Sequence, residues 1–442
     1  MLTARFDFEA TLNKTLSFVE GEYFYLQQSN TKQRNWWYVI NRKGQVGFVP
    51  SNYVAAVKVI LFNTETLIYE FLPGGAARSI IDALLREANS NITCPKNAID
   101  AAPDALRMMT ALNALSKAAN DAQQRGWALH DDAHDIQTQL LELISSNADV
   151  NISQHVLSSH RYAYVTTLVQ FYQMETRWPL RQLLLQAFGV MCGLERTALA
   201  TLALSSLPPE LARDMRDNPR ALARLSHSAL LLSMLLSMAD RLPVPHFEQL
   251  GMEFAQFLLE LIEEPPETDV DEQIPDLFLT LLLAYNLQFD NPVENILLNA
   301  LETRDNAKTF CEKILLLINR EEDPVRIFDH EPAPTHSVLK LGIDLFSRKR
   351  TADHFYTNDV KVAVDIIVRQ LADLSPGDER RQQYLRMLQG IIRNTDYGAH
   401  LHRRDDLLRC FARIFCEEGD ASRADQALVR AISNEFPQYF KA

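Results

Sequence analysis

The sequence predicts a mainly α protein: a small all-β domain at the N-terminus, then a long helical solenoid of armadillo or HEAT type. Three observations predict this. Leu is abundant while Gly numbers only 14 in 442 residues, a balance that favours helices. From residue 104 onward, apolar residues recur at helical spacing, in segments separated by Pro, Gly or acids. The first 57 residues instead alternate apolar with polar positions and carry turn signals at short intervals. The expected division is 1–57, a connecting segment 58–103 with a first helix, and a helical domain 104–442.

In the first segment, Ala4 to Phe8 alternates, and Leu16-Ser17-Phe18 precedes the turn Glu20-Gly21-Glu22. Tyr23 to Leu26, Trp36 to Ile40 and Val46 to Val49 read as strands, with Lys43-Gly44 as a hairpin turn. The series ARFDF, LSFVEGE, Trp36-Trp37 and GFVPSNYV resembles an SH3 domain over its whole length. That resemblance implies a groove for proline-rich peptides lined by Phe6, Phe8, Trp36, Pro50, Asn52 and Tyr53. A polyproline II ligand is already extended, so flat aromatic slots bind it at low entropic cost. The loop before LSF carries Asn13, Lys14 and Thr15 where SH3 domains that grip a basic ligand residue carry acids. The other rim loop holds Lys32 and Arg34. Weakened preference for basic-flanked ligands is therefore expected.

Lys58 to Leu72 is mostly apolar and runs into Pro73-Gly74-Gly75, after which Ala76 to Ala88 reads as a helix. Asp104 to Asn120 follows, with Leu106, Met109, Leu112 and Leu115 at spacing 3, and Asp131-Asp132 opens the next helix. The most apolar helix is Leu180–Leu194, whose apolar arc through Leu180, Leu183, Leu184, Ala187, Phe188 and Met191 is too wide for a surface helix. It needs neighbours on more than one side. Further helices are expected at Ala221–Asp240, Pro245–Glu263, Pro292–Leu301, Ala307–Asn319, Val338–Phe346, Asp359–Leu374, Glu379–Arg393 and Leu401–Glu417. Helix pairs at this density read as a degenerate solenoid with units of roughly 40–47 residues.

Several segments of this helical region are similar to the family of NCK-interacting proteins with an SH3 domain (the WISH/DIP family). The carrying residues are DAQQRGWAL from Asp121, YQME from Tyr172, ELARDM from Glu210, FAQFLL from Phe254, DPVRIF from Asp323 with His330-Glu331-Pro332, HSVLK from His336 and ADLSPGD from Ala372. The resemblance implies an armadillo-type domain that binds and activates the actin-related protein 2/3 complex without a preformed filament, giving linear seed filaments. Formins and cortical or endocytic actin factors are the implied further partners, and a non-nucleating adaptor is the alternative. One departure stands out: none of the 19 prolines is followed by another three residues on, so the chain holds no PxxP. The motif through which SH3 domains of Nck-type adaptors would bind is thus missing, which leaves that partnership open.

Charge and motifs exclude other classes. Net charge is −13, and residues 1–57 carry +2, which leaves −15 on the remainder. An acidic body lacks the basic footprint that nucleic acid requires. The longest apolar run, Ala229 to Ala239, is far below the ~20 residues a spanning helix needs, so no membrane span is expected. MLTARFDFEA shows no apolar signal region, and the five scattered Cys form no CxxC, so a cytoplasmic protein with buried reduced thiols is expected. No P-loop, GxGxxG, HExxH or GxSxG is present. The acids at 131, 132 and 135 near His134, and His400-x-His402 beside Asp405-Asp406, read as helix starts rather than metal sites. No enzyme activity, cofactor or metal is expected. Within the Asp323 motif, Asp323-Pro324 should open a helical turn and Arg326 pair locally; Arg348-Lys349-Arg350 should be a solvated loop.

Overall fold

The structure is a computed structural model that describes residues 2–8, 10, 15–28, 36–41, 46–50, 53–56, 99–120, 132–146 and 150–440. The expected helix at 76–88, most of the 58–103 segment, and Asn13, Lys14, Lys32, Arg34 and Asn52 lie outside the described residues. The chain divides into two compact units, Met1–Pro95 and Lys96–Ala442.

The first unit is a five-stranded antiparallel sheet: β1 (Leu2–Ala4), β2 (Tyr23–Gln28), β3 (Trp36–Asn41), β4 (Val46–Pro50) and β5 (Val54–Ala56), in the order β4-β3-β2-β1-β5. The β2–β3 ladder shifts register between Leu26 and Gln28, a bulge that bends the strand. Ala4, Leu16, Phe18, Phe24, Val39, Val49 and Val54 form the core. Phe8 pairs with Phe18 through an isolated bridge rather than extending β1.

The second unit is helical. Its elements begin with α1 (Pro103–Asn120), α2 (Ala133–Ser146), α3 (Val150–Ser159), α4 (Ala163–Met174), α5 (Trp178–Leu194), α6 (Arg196–Leu204) and α7 (Leu207–Asp217). They continue with α8 (Leu222–Leu236), α9 (Met252–Glu263), α10 (Gln273–Asn286), α11 (Ile296–Glu302), α12 (Lys308–Arg320), α13 (Ser337–Leu345) and α14 (Lys349–Ala352). The last are α15 (Thr357–Asp373), α16 (Glu379–Asn394), α17 (Tyr397–His400), α18 (Arg404–Cys416), α19 (Arg423–Glu435) and α20 (Pro437–Phe440).

These helices pack in two rows. One row runs α1, α2, α5, α8, α10, α13, α16, α19, each touching the next; the other runs α4, α7, α9, α12, α15, α18. Successive pairs α7/α8, α9/α10, α12/α13, α15/α16 and α18/α19 bridge the rows. The second-row helices start at residues 163, 207, 252, 308, 357 and 404, in steps of 44, 45, 56, 49 and 47. Polar contacts repeat the same period. Arg177 meets Asp132 at 2.8 Å, Arg196 meets Asp240 at 2.8 Å, Gln256 donates to Thr303 at 3.1 Å, Arg369 to Asn319 at 3.2 Å and Gln389 to Glu435 at 2.6 Å, all 44 to 50 residues apart. Glu263 at the end of α9 accepts the N–H groups of Thr309 and Phe310, so one unit caps a helix of the next. The 56-residue step is the longest because a 3-10 turn, Pro292–Glu294, and α11 are inserted after α10.

Helix α5 lies at the centre of its neighbours, touching α2, α3, α4, α6 and α8. Leu180, Leu184, Leu185, Ala187, Phe188, Met191 and Cys192 are buried, and Leu183 is half-buried. Several local expectations need correction. In α1 the buried stripe is Ala105, Met108, Leu112, Leu115 and Ala119, and Leu106 is 53% exposed, because a 3.6-residue turn does not hold a spacing of 3. The segment expected at Pro245–Glu263 is a 3-10 turn, Val244–Glu248, followed by α9. The break falls at Gly251, where a Cβ would lie 2.6 Å from the Phe247 carbonyl oxygen. The helix expected at Leu401–Glu417 starts later, at Arg404, since Leu401 and Arg403 adopt positive φ before α18. Cys192, Cys311 and Cys410 are buried, but Cys416 is exposed. Among the described residues, no helix is long and apolar enough to cross a membrane.

Candidate functional site

In the sheet domain, three of the groove residues come together. The Phe6 and Phe8 rings stand edge-on to Tyr53, with centroids 5.7 and 5.6 Å away, and Phe8 stacks on the core residue Phe18 at 5.4 Å. Phe6 is 56% exposed, while Phe8 and Tyr53 are half-buried against the core. The Arg5 N–H donates to the Tyr53 carbonyl at 2.8 Å, which fixes the backbone that carries Tyr53 beside Phe6. Trp36 and Pro50 are backbone partners in the ladder at the ends of β3 and β4, and Pro50 is buried. The cluster offers exposed aromatic edges on a rigid base, the surface a polyproline II ligand requires. Asn52 is outside the described residues.

In the helical domain the Asp323 motif opens on the expected single turn, with the Arg326 N–H donating to the Asp323 carbonyl at 3.2 Å, and then forms a closed loop. Asp323 accepts the Ser337 N–H at 2.8 Å, the Ser337 hydroxyl at 2.5 Å and the Val325 N–H at 3.1 Å, so both ends of the segment are joined. This is an Ω-loop. Its far end reaches the α5–α6 junction. His330 Nε2 lies 2.8 Å from the Cys192 carbonyl oxygen, Arg196 donates to the Glu331 carbonyl at 3.1 Å, and Phe328 stacks on His330 with centroids 5.1 Å apart. The contact joins residues 138 apart and skips two helix pairs, whereas solenoid units ordinarily touch only their neighbours. The expected local pairing of Arg326 is not formed: its side chain is exposed and has no carboxylate within ion-pair distance among the described residues.

Beside this loop is a buried polar network. Asn286 donates to Asp344 at 2.8 Å, Asn295 donates to Asn286 at 2.7 Å, and Lys340 donates to Asp344 and to the Phe289 carbonyl, both at 2.7 Å. Asn295 also caps α11 by accepting the Leu297 and Leu298 N–H groups. Arg348, expected in a solvated loop, instead donates to Asn299 at 2.8 Å and to the Val293 carbonyl at 3.1 Å, and pairs with Glu302 at 3.3 Å. Elsewhere, Arg381 is fully buried between Glu417 and Asp425, and burial raises the Asp425 carboxyl above its ordinary range. Arg181 sits 4.1 Å over the Tyr172 ring, whose phenol burial pushes up to about 12. The residue pairs considered for metal binding have other partners: Asp132 meets Arg177, His402 meets Asp365 at 3.0 Å, and Asp406 meets Arg403 and Arg409.

Comparison with known proteins finds a match within each unit. Residues 4–55 match the variant SH3 domain family, and residues 271–407 match the SPIN90/Ldb17 leucine-rich domain. The second match takes in α10 to the start of α18, with the buried network and the Ω-loop. Protein LDB17 of Saccharomyces cerevisiae is 28% identical over 161 residues, 34% of this chain and 31% of its own length. Protein LDB17 of Eremothecium gossypii is 28% identical over 163 residues, 34% of each chain. The chain thus spans about a third of the length of the curated relatives it matches. A variant SH3 domain match at 4–55 ahead of a SPIN90/Ldb17 leucine-rich domain match at 271–407 is the order of domains that the similarity to the NCK-interacting proteins with an SH3 domain implies.

Proposed function

We propose that this chain regulates the actin cytoskeleton: its helical domain binds and activates the actin-related protein 2/3 complex without preformed filaments, and its SH3 domain gathers proline-rich partners. The observation that carries this reading is the leucine-rich-domain match at 271–407, which falls on the interlocked stretch of the solenoid. The work is done by binding, not by catalysis. A scaffold stiffened by caps and ion pairs between units can favour one conformer of a large target and shift its population by differential affinity. Moving that population from 1:99 to 99:1 takes about 5.5 kcal/mol of preference. The place of action is the cytoplasmic actin cortex, where formins and endocytic factors are the SH3-linked neighbours. In a pyrene-actin assay the full chain with the complex, without filaments or other activators, shortens the lag. An unchanged lag refutes activation and leaves a non-nucleating adaptor.

A further inference from the structure

The base of the Ω-loop carries a second feature. A cleft of about 640 Å³ opens between the loop, the end of α10 and the first turns of α16. This volume lies within the range of roughly 300–1,000 Å³ typical of ligand sites. Its apolar wall includes Leu287, Val325 and Pro334, and its polar wall includes Arg326, Arg380 and Gln383.

Two of these side chains are incompletely partnered among the described residues. Gln383 is 94% buried, with 6% of its surface exposed, and its Nε2 donates to Thr335 at 2.7 Å. That bond orients the amide and leaves Oε1 buried with nothing to accept from. An orphaned buried acceptor costs about 1–3 kcal/mol, so it marks a place where a donor belongs. Arg326 is the other, an exposed guanidinium without a carboxylate partner among the described residues. The neighbouring charges are engaged. Asp323 holds Ser337; Glu321 accepts from Gln370 at 2.6 Å; Arg380 is bound to Asp378 at 2.9 Å. Glu379 stands on the rim, in the first turn of α16.

The cleft therefore asks for an N–H donor, an anion and apolar contact in one ligand. A free phosphate supplies only the anion. We propose that the cleft binds a short extended peptide segment bearing an acidic residue, with its main-chain N–H on Gln383 Oε1 and its carboxylate on Arg326. The closed Asp323–Ser337 base holds the wall in place before the ligand arrives, which lowers the ordering cost of binding. This site goes beyond the proposed actin role and stands or falls separately from it.

The test uses proline-free, fluorescein-labelled tetrapeptide pools with Asp, Ala or Lys fixed at the third position, titrated into the full chain by fluorescence anisotropy. The Asp pool should bind at least tenfold tighter than the Ala pool. Arg326→Ala, an exposed change, should remove about tenfold of that affinity, and Arg326→Glu should transfer the preference to the Lys pool. Gln383→Leu should weaken all pools alike. Equal binding of the Asp and Ala pools, tightest binding of the Lys pool to the unaltered chain, an Asp-pool affinity unchanged by Arg326→Ala, or complete displacement by millimolar inorganic phosphate would each overturn the proposal.

Discussion

Asn295→Ala should loosen the middle of the solenoid out of proportion to the atoms removed. The side chain is fully buried. It accepts the Leu297 N–H at 3.0 Å and the Leu298 N–H at 3.3 Å, and donates to Asn286 at 2.7 Å. Loss of an N-cap costs about 1 kcal/mol. The Asn286 oxygen is left buried without a donor, which costs a further 1–3 kcal/mol or so. The expected destabilisation is therefore about 2–4 kcal/mol, against roughly 0.5 kcal/mol or less for the exposed neighbour Glu294→Ala. Repeat proteins can open unit by unit, so native-state hydrogen exchange is the suitable assay. The amides of Leu297 and Leu298 should exchange about 30-fold to 1,000-fold faster, since each 1.4 kcal/mol is tenfold. The double change Asn295→Ala with Asn286→Leu should cost less than the sum of the two single changes, because both disturb one hydrogen bond. Exchange accelerated less than threefold, or strict additivity, would refute the network as a single unit.

Other outcomes follow from the same structure. Arg348→Ala should cost about 2 kcal/mol by chemical denaturation, because charge-assisted bonds to Asn299, the Val293 carbonyl and Glu302 are lost together; a neutral result would return the residue to the solvent. His246, His336 and His400 all have their pKa lowered from 6.5 by burial. The unfolded chain then binds more protons than the folded one, so stability is full above pH 6.5 and is lost as pH falls below it. The urea midpoint should be lower at pH 5.5 than at pH 7.5, and His246→Phe should flatten the difference. Tyr53→Ala should weaken a proline-rich peptide at least tenfold by calorimetry, with the fold kept, since the Arg5 to Tyr53 backbone bond remains.

Much of the fold was legible because its signals are local. The wide apolar arc of α5, the Pro and Gly breaks and the short-interval turns of the first 57 residues follow from side-chain periodicity and backbone sterics alone. The aromatic cluster Phe6, Phe8 and Tyr53 was legible for the same reason, since motifs in fixed order place their own side chains. Partnerships were not. Nothing local in Arg348-Lys349-Arg350 says that the first arginine reaches Asn299, and nothing in the Asp323 motif says that His330 meets Cys192, because such pairs depend on the stacking of units. Helix α3 is hard to read from sequence because VNISQHVLSS is rich in β-branched and hydroxyl side chains, which have low helix propensity, while tertiary packing of Val156 and Leu157 holds it. Arg381, fully buried, reads as a surface charge until Glu417 and Asp425 are seen beside it.

On the proposed function, a pre-folded helical scaffold works by preferring one conformer of its target. This preference is tested most directly by measuring the affinity of the full chain for the actin-related protein 2/3 complex held in its resting state and in its switched-on state. Tighter binding to the switched-on state is expected, approaching 10⁴-fold if the chain alone drives the change. Equal affinity for the two states would contradict it.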